Sequence, residues 1–427
     1  MHMTMLILFG SLFVFILLSV PIGVAIGLSS MLVIFFLDSV SLPMLIQKLF
    51  TSLDSFPLMA IPFFMLGGLL MGKGGISERI LNLAKQLVGW MVGGLAMVTV
   101  VACAFFAALS GSGPATVGAI GSFMIPSMKE KNYSPAFASA ITAAAGCIGV
   151  IIPPSIPLIL YGVISGTSIG ELFKAGILPG LLIAVILMFV SYRTIKKQGD
   201  EIVKEDIDIS FSALMRSIWD AKWALLAPII ILGGIYGSIF TPTEASVVAI
   251  IYSYIIGAFV HKELKWKEIK ESLLETINLT GATMYMIGTS IAFAYLLSVE
   301  RIPAIIAESI ASFSSNPIVI LLLINLFLLV VGAFVDTIPA LAMLTPILLP
   351  IVQQAGVDPV HFGIIMVVNL AIGFITPPFG VNLFIASNVG KTPLEDIIKK
   401  MIPIIMYVIV GLMIITYFPA LSLVFAK

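Results

Sequence analysis

Charge is scarce in this sequence. Only 10% of its 427 residues are Asp, Glu, Lys or Arg, while 60% are hydrophobic; soluble domains carry roughly 45–50% apolar and about 25% charged residues. A soluble globular protein is excluded. The charges sum to a formal net of zero, so nothing favours a nucleic-acid partner. Cysteine is limited to Cys103 and Cys147, both in apolar segments without metal or redox spacing, and both read as small buried hydrophobes. Of three histidines, His2 is terminal, His261 lies in a polar loop and His361 stands at a helix start, where packing is expected. No HExxH, Walker, Gly-rich dinucleotide or paired-cysteine motif occurs. An enzyme therefore lacks its catalytic set, and direct ATP drive would need another chain.

What the sequence has is long apolar runs. Residues 5–37 and 316–334 exceed or approach the ~20 residues that cross a bilayer core, and at least ten such segments can be drawn, some short or broken. An all-α polytopic membrane protein is expected, since helices satisfy their own backbone groups in lipid. The first run lacks a basic n-region and a small-residue cleavage pattern, so it reads as a first membrane helix, not a removable signal peptide.

The sequence is also written twice. Aligning 125–162 with 349–386 places Pro126 on Pro350, Pro135 on Pro359, Gly149 on Gly373 and Pro153-Pro154 on Pro377-Pro378, each pair 224 residues apart. Glu171 meets Glu395 and Pro179 meets Pro403 at the same offset, while Pro114-Ala115 matches Pro339-Ala340 after a slip of one. The repeats are taken as 1–192 and 221–427 around a polar cytoplasmic linker, 193–220, with hairpins near 92–128 and 317–352 and broken helices at 134–166 and 358–390. Basic residues swap between equivalent loops. Lys129 and Lys131 correspond to Gln353 and Ala355, whereas Lys391, Lys399 and Lys400 face a counterpart holding only Lys174. Because cytoplasmic loops are the basic ones, the halves read as an inverted-topology repeat; the alternative is two parallel repeats with drifting charge. Residues 75–90 and 261–277 mix apolar and charged positions at helical spacing and suit interfacial arms, or ordinary cytoplasmic helices.

Each half carries a helix break at VIIPPSIP (150–157) or FITPPFGV (374–381). Consecutive prolines remove two backbone donors, and an unsatisfied group in hydrocarbon costs several kcal/mol, so such a break needs protein, water or an ion beside it. Na+ is a hard cation that takes carbonyl and hydroxyl oxygens, and paired breaks in corresponding places point to a transporter's central site. A plain proline kink repaired by Ser or Thr is the alternative. Before each break lies a polar tip, SGSGPAT (110–116) and VDTIPA (335–340), suited to a re-entrant hairpin facing a cavity. Ser110, Ser112 and Thr116 are the candidate ligands in half one, and Asp336 and Thr337 in half two; close helix packing through small residues is the competing reading for the serines. Asp336 is the strongest intramembrane ionisable candidate. Glu244 reads as a structural or interface partner, and Arg301 as a snorkelling helix-end residue or a substrate contact. Ser112 as a protease-like nucleophile has no plausible base.

The strings 119–162, 240–249 (FTPTEASVVA) and 358–384 resemble the large membrane subunit of the TRAP transporters, the DctM-like family, over nearly the whole chain. The resemblance implies an elevator-type fold with a scaffold and a transport domain. It implies Na+-driven uptake of an organic acid, such as a C4-dicarboxylate or sialic acid, in the bacterial inner membrane. It also implies two partners, a small four-helix membrane subunit as a separate chain and a soluble extracytoplasmic substrate-binding protein. Carried over, one Na+ site would use Ser110, Ser112, Gly146, Val150 and Pro153, and a second Gly332, Gly373, Thr376 and Phe379, with Asp336, Thr337, Ser112 and Thr116 on the substrate face. A divalent-anion symporter that works without a binding protein is the nearest rival.

Overall fold

The protein is described here from a computed structural model covering residues 2–37, 40–198, 210–305 and 316–426. Within them the chain is helical, and seven helical stretches are long and apolar enough to cross a bilayer, or eight if a pair bent by 59° counts as one span. The remaining apolar helices are shorter because prolines divide them. Thus the run 5–37 is two helices, α1 (His2–Leu17) and α2 (Ile22–Leu37), meeting at a turn in which Ser19 is left-handed (φ 59°) and Pro21 precedes α2.

Two groups of helices can be distinguished, and they meet chiefly where Trp266–Val299 packs on Thr337–Gln354 and Ala60–Lys73 on Gly94–Ser110. The first joins α1 and α2 to α3 (Leu42–Leu53), α4 (Ala60–Lys73), α12 (Lys222–Tyr236), α13 (Pro242–Ile255) and α14 (Trp266–Val299). Small residues set the α4–α13 approach, where a Cβ on Gly67 would touch Ala249 at 3.4 Å. Thr241 and Glu244 close a reciprocal capping box at the start of α13, which gives Glu244 a structural role. Residues 75–90 form the amphipathic α5 (Ile76–Val88). Residues 261–277 do not form a separate arm: from Trp266 they enter the 34-residue α14, whose charged first turns run on into apolar ones without a breaker. Arg79 on α5 bonds Glu263 at 2.9 Å just before it. Of the linker, 199–209 lie outside the described residues; α10 (Ile169–Gln198) precedes them and α11 (Phe211–Asp220) follows.

The second group comprises α6 (Gly94–Ser110), α7 (Gly113–Glu130), α8 (Pro135–Gly146), α9 (Ile156–Ser165) and α10, with α15 (Pro317–Phe334), α16 (Thr337–Gln354), α17 (Pro359–Gly373), α18 (Val381–Gly390) and α19 (Leu394–Tyr417). A short α20 (Ala420–Leu423) closes against α10. Proline supplies the first turn of both α8 and α17, where its missing N–H costs nothing; Asp358 caps α17 by accepting from Val360 N at 2.8 Å. Contacts cross between the halves reciprocally: α7 packs on α18 as α9 packs on α16, and α8 on α19 as α10 on α17. Cys147 Sγ donates to the Ala371 carbonyl at 3.0 Å, a residue 224 positions away. Lys129 Nζ donates to the Gly390 carbonyl, whereas Tyr161 Oη reaches the Pro359 carbonyl at 2.7 Å. The α7–α8 turn therefore lies beside the end of α18, and the α16–α17 turn beside α9.

Candidate functional site

The first hairpin tip is built by α6 ending at Ser110 and α7 starting from Ser112 as N-cap, its Oγ accepting from Ala115 N at 3.4 Å. Between them Gly111 is left-handed (φ 61°), and a Cβ there would stand 2.8 Å from the Pro154 carbonyl. Glycine is thus required twice, for conformation and for closeness to the break. Ser110 Oγ lies 3.0 Å from Thr116 Oγ1, which donates to the Ser112 carbonyl at 2.8 Å. The break meets this tip directly. A Cβ on Gly149 would fall 2.6 Å from Thr116 Oγ1 and 2.7 Å from the Ser112 carbonyl, and Ile156 N donates to the Gly111 carbonyl at 3.3 Å. Val150 O accepts from Ser155 Oγ at 2.5 Å; Gly146 faces the Gly113 carbonyl and Asn382. Ser110, Ser112, Thr116, Gly146 and Gly149 accordingly meet at one corner with Val150 beside them, whereas Pro153 stands against Gly176 of α10.

The second corner repeats the geometry with different chemistry. α15 ends at Phe334, Val335 is extended (φ −122°), and Asp336 is the N-cap of α16 without a side-chain capping bond. Gly332 lies against Gly373 so closely that a Cβ on Gly373 would sit 2.2 Å from the Gly332 carbonyl oxygen. After Gly373 the chain turns. Thr376 N donates to the Gly373 carbonyl at 3.1 Å, Thr376 Oγ1 to Ile372 O at 2.8 Å, and Asn382 N to Phe374 O at 3.1 Å. Thr337 is fully buried, its hydroxyl 3.4 Å from the Leu370 carbonyl. A cavity of about 370 Å³ opens here, lined by Gly332, Phe334, Val335, Asp336, Gly373, Phe374 and Phe379, and closed by the α1–α2 turn at Ser19–Pro21.

Two placements were not legible in the sequence. Asp336 lines this cavity with Gly332 and Gly373, while Ser112 and Thr116 belong to the first corner. The Phe374 ring, which would lie 3.3 Å from a Cβ on Gly113, stands between them. Asn382 of half two reaches into half one, where Nδ2 donates to Ala143 O at 3.1 Å while its buried Oδ1 has no partner. Its counterpart by the repeat offset is Leu158, so no sequence symmetry marks it. Arg301 follows α14 at its exposed end, with left-handed φ (54°), away from both corners.

The oxygen donors are carbonyls and hydroxyls at the first corner, with the Asp336 carboxylate added at the second, and among the described residues no cluster of three or more His, Cys, Asp or Glu could hold a metal. Oxygen-only sets of this kind suit a hard cation rather than a soft transition metal. The helix N-termini of α7 and α16 meet the same places and favour negative charge.

The family described as tripartite ATP-independent periplasmic transporter, DctM component, matches residues 9–421. An isethionate TRAP transporter permease protein DctMQ of Oleidesulfovibrio alaskensis is 48% identical over 98% of this chain, which spans 66% of that protein. A C4-dicarboxylate TRAP transporter large permease protein DctM of Pseudomonas aeruginosa is 42% identical over 93% of each chain, and a sialic acid TRAP transporter large permease protein SiaM of Vibrio cholerae 38% identical over 94% of each. The YdaH transporter of Alcanivorax borkumensis shares the fold, with a TM-score of 0.64 at 15% identity, over 88% of this chain and 87% of that one. These relatives are transporter permeases and not enzymes, in keeping with the missing catalytic set. The chain belongs to the tripartite ATP-independent periplasmic transporter family, as a DctM component.

Proposed function

We propose that this permease imports a small organic anion by coupling it to Na+ at the two tip-and-break corners. The observation that carries this reading is the pairing itself: each hairpin end lies against a helix break, Gly149 on Ser112 and Thr116 and Gly373 on Gly332, and one corner opens into a cavity of about 370 Å³. Val150, Gly373 and Phe374 carbonyls have found local donors, yet each carbonyl oxygen has a second lone pair for a cation. Ser110, Ser112, Gly146, Val150 and Pro153 would hold one Na+, and Gly332, Gly373, Thr376 and Phe379 the other. Asp336 sits beside the second, where its negative charge adds to cation binding; an anionic substrate then approaches only after Na+ has offset it.

The substrate class follows from chemistry common to the relatives' names. C4-dicarboxylates and sialic acid are carboxylates and isethionate is a sulfonate, so a carboxylate or sulfonate is proposed. The reciprocal contacts between the two halves support an inverted repeat, and the two helix groups support a second group that moves against the first as an elevator. A small four-helix membrane subunit and a soluble extracytoplasmic binding protein are the proposed partners, in the inner membrane. The test is uptake into proteoliposomes containing this chain, the small subunit and the loaded binding protein. Uptake that requires an inward Na+ gradient is expected; undiminished uptake with K+ alone would overturn the coupling.

A further inference from the structure

The molecule has a second cavity, at the opposite ends of α7 and α18 from the two corners. About 500 Å³ in volume, it lies where four helices end: α7 and α8 of half one, α18 and α19 of half two. Lys129, Lys391, Lys399 and Lys400 line it, with Asp396 as its one acid. Lys399 pairs with Asp396 at 3.2 Å, and Lys129 is held by the Gly390 carbonyl. No carboxylate lining the cavity remains for Lys391, Lys400 or the charge of Lys129. Four cations gathered round one cavity repel one another; Asp396 offsets one of them, and an entering anion would offset the rest. Ser134, Pro135, Thr392 and Pro393 complete the wall, at the starts of α8 and α19, neither of which has a side-chain cap. The partial positive charge of both helix starts adds to that of the lysines.

We propose that this cavity binds a phosphate-bearing anion that bridges the two halves of the chain. α19 is a candidate membrane span, so its first turn stands at the level of lipid headgroups, and basic pockets between helix ends take anionic headgroups. A phospholipid headgroup and a soluble phosphate share the chemistry, and the inference does not depend on the transported substrate or on Na+.

Lys391 is left-handed (φ 46°), so the variant that removes its charge is Lys391→Asn, a residue tolerant of that conformation, combined with Lys400→Gln. Wild type and double variant would be placed in nanodiscs of phosphatidylcholine with and without phosphatidylglycerol, and bound lipid read by native mass spectrometry. In a second arm the detergent-solubilised proteins are melted against inorganic phosphate, with chloride at equal ionic strength. Preferential retention of phosphatidylglycerol by the wild type, weakened about thirty-fold in the variant, supports a lipid; this corresponds to ~1 kcal/mol per lysine near an anionic surface. A phosphate-specific rise in melting temperature lost in the variant, without lipid preference, supports a soluble phosphate. No preference in either arm, or one unchanged by the substitutions, overturns the site.

Discussion

At the scale of single residues, the glycines at the corners are the sharpest constraint. Gly149 and Gly373 occupy equivalent places, and each lies against backbone or hydroxyl oxygens closer than any side chain permits. Replacing either with alanine forces the tip away from the break. A loss of about 1–3 kcal/mol is expected, as for overpacking elsewhere, read as a lower unfolding midpoint. Gly118, with nothing within 4 Å, is the control, and Gly118→Ala should stay within about 0.5 kcal/mol. Thr376→Val keeps the shape and removes a hydroxyl; Na+ affinity should fall while folding holds. Asp336→Asn should raise the Na+ concentration for half-maximal uptake more than it alters affinity for the loaded binding protein. The proline pairs and hydroxylic tips were legible because proline and serine act on their own stretch of backbone. Asn382, Phe374 and Ser19 were not, because each matters through a segment distant in sequence.

At the scale of elements, the repeat offset predicted equivalent helices, and α8 and α17 both start from proline at that offset. The one-residue slip read between the tips is absorbed at the helix starts, since the N-caps Ser112 and Asp336 are again 224 apart. Amphipathic spacing found α5 but misplaced the other arm, because a charged first turn does not end a helix that lacks a breaker. The α13–α14 connection carries its own titratable contact: His261 Nδ1 lies 2.8 Å from the Gly74 carbonyl, and Nε2 is buried without a partner. Burial lowers the His261 pKa, with the Gly74 carbonyl opposing the shift and nearby Arg79 assisting it. The unfolded chain therefore binds more protons below the ordinary value of about 6.5, and stability falls as the pH drops through it. Melting temperatures at neutral and mildly acid pH should diverge for the wild type, and diverge less for His261→Gln.

At the scale of the whole molecule, composition alone dictated a membrane protein, and the repeated prolines dictated two comparable halves. The interlocking of those halves lay beyond sequence reading, since Cys147 against Ala371 or Tyr161 against Pro359 is a contact between residues about 200 apart. The tips and breaks of both corners belong to the second packing group, with the α1–α2 turn of the first beside the second corner, so under the proposed coupling Na+ at either would stabilise the same body. Binding to the folded state alone raises stability with concentration, and Na+ in place of K+ should raise the melting temperature of the purified protein.

The most direct measurement is equilibrium binding of radiolabelled Na+ to the purified chain, wild type beside Thr376→Val and Ser110→Ala. Saturable binding in the wild type, displaced by unlabelled Na+ but not by K+ and weakened in each variant, is the predicted result. No saturable binding, or binding indifferent to both substitutions, would contradict the account.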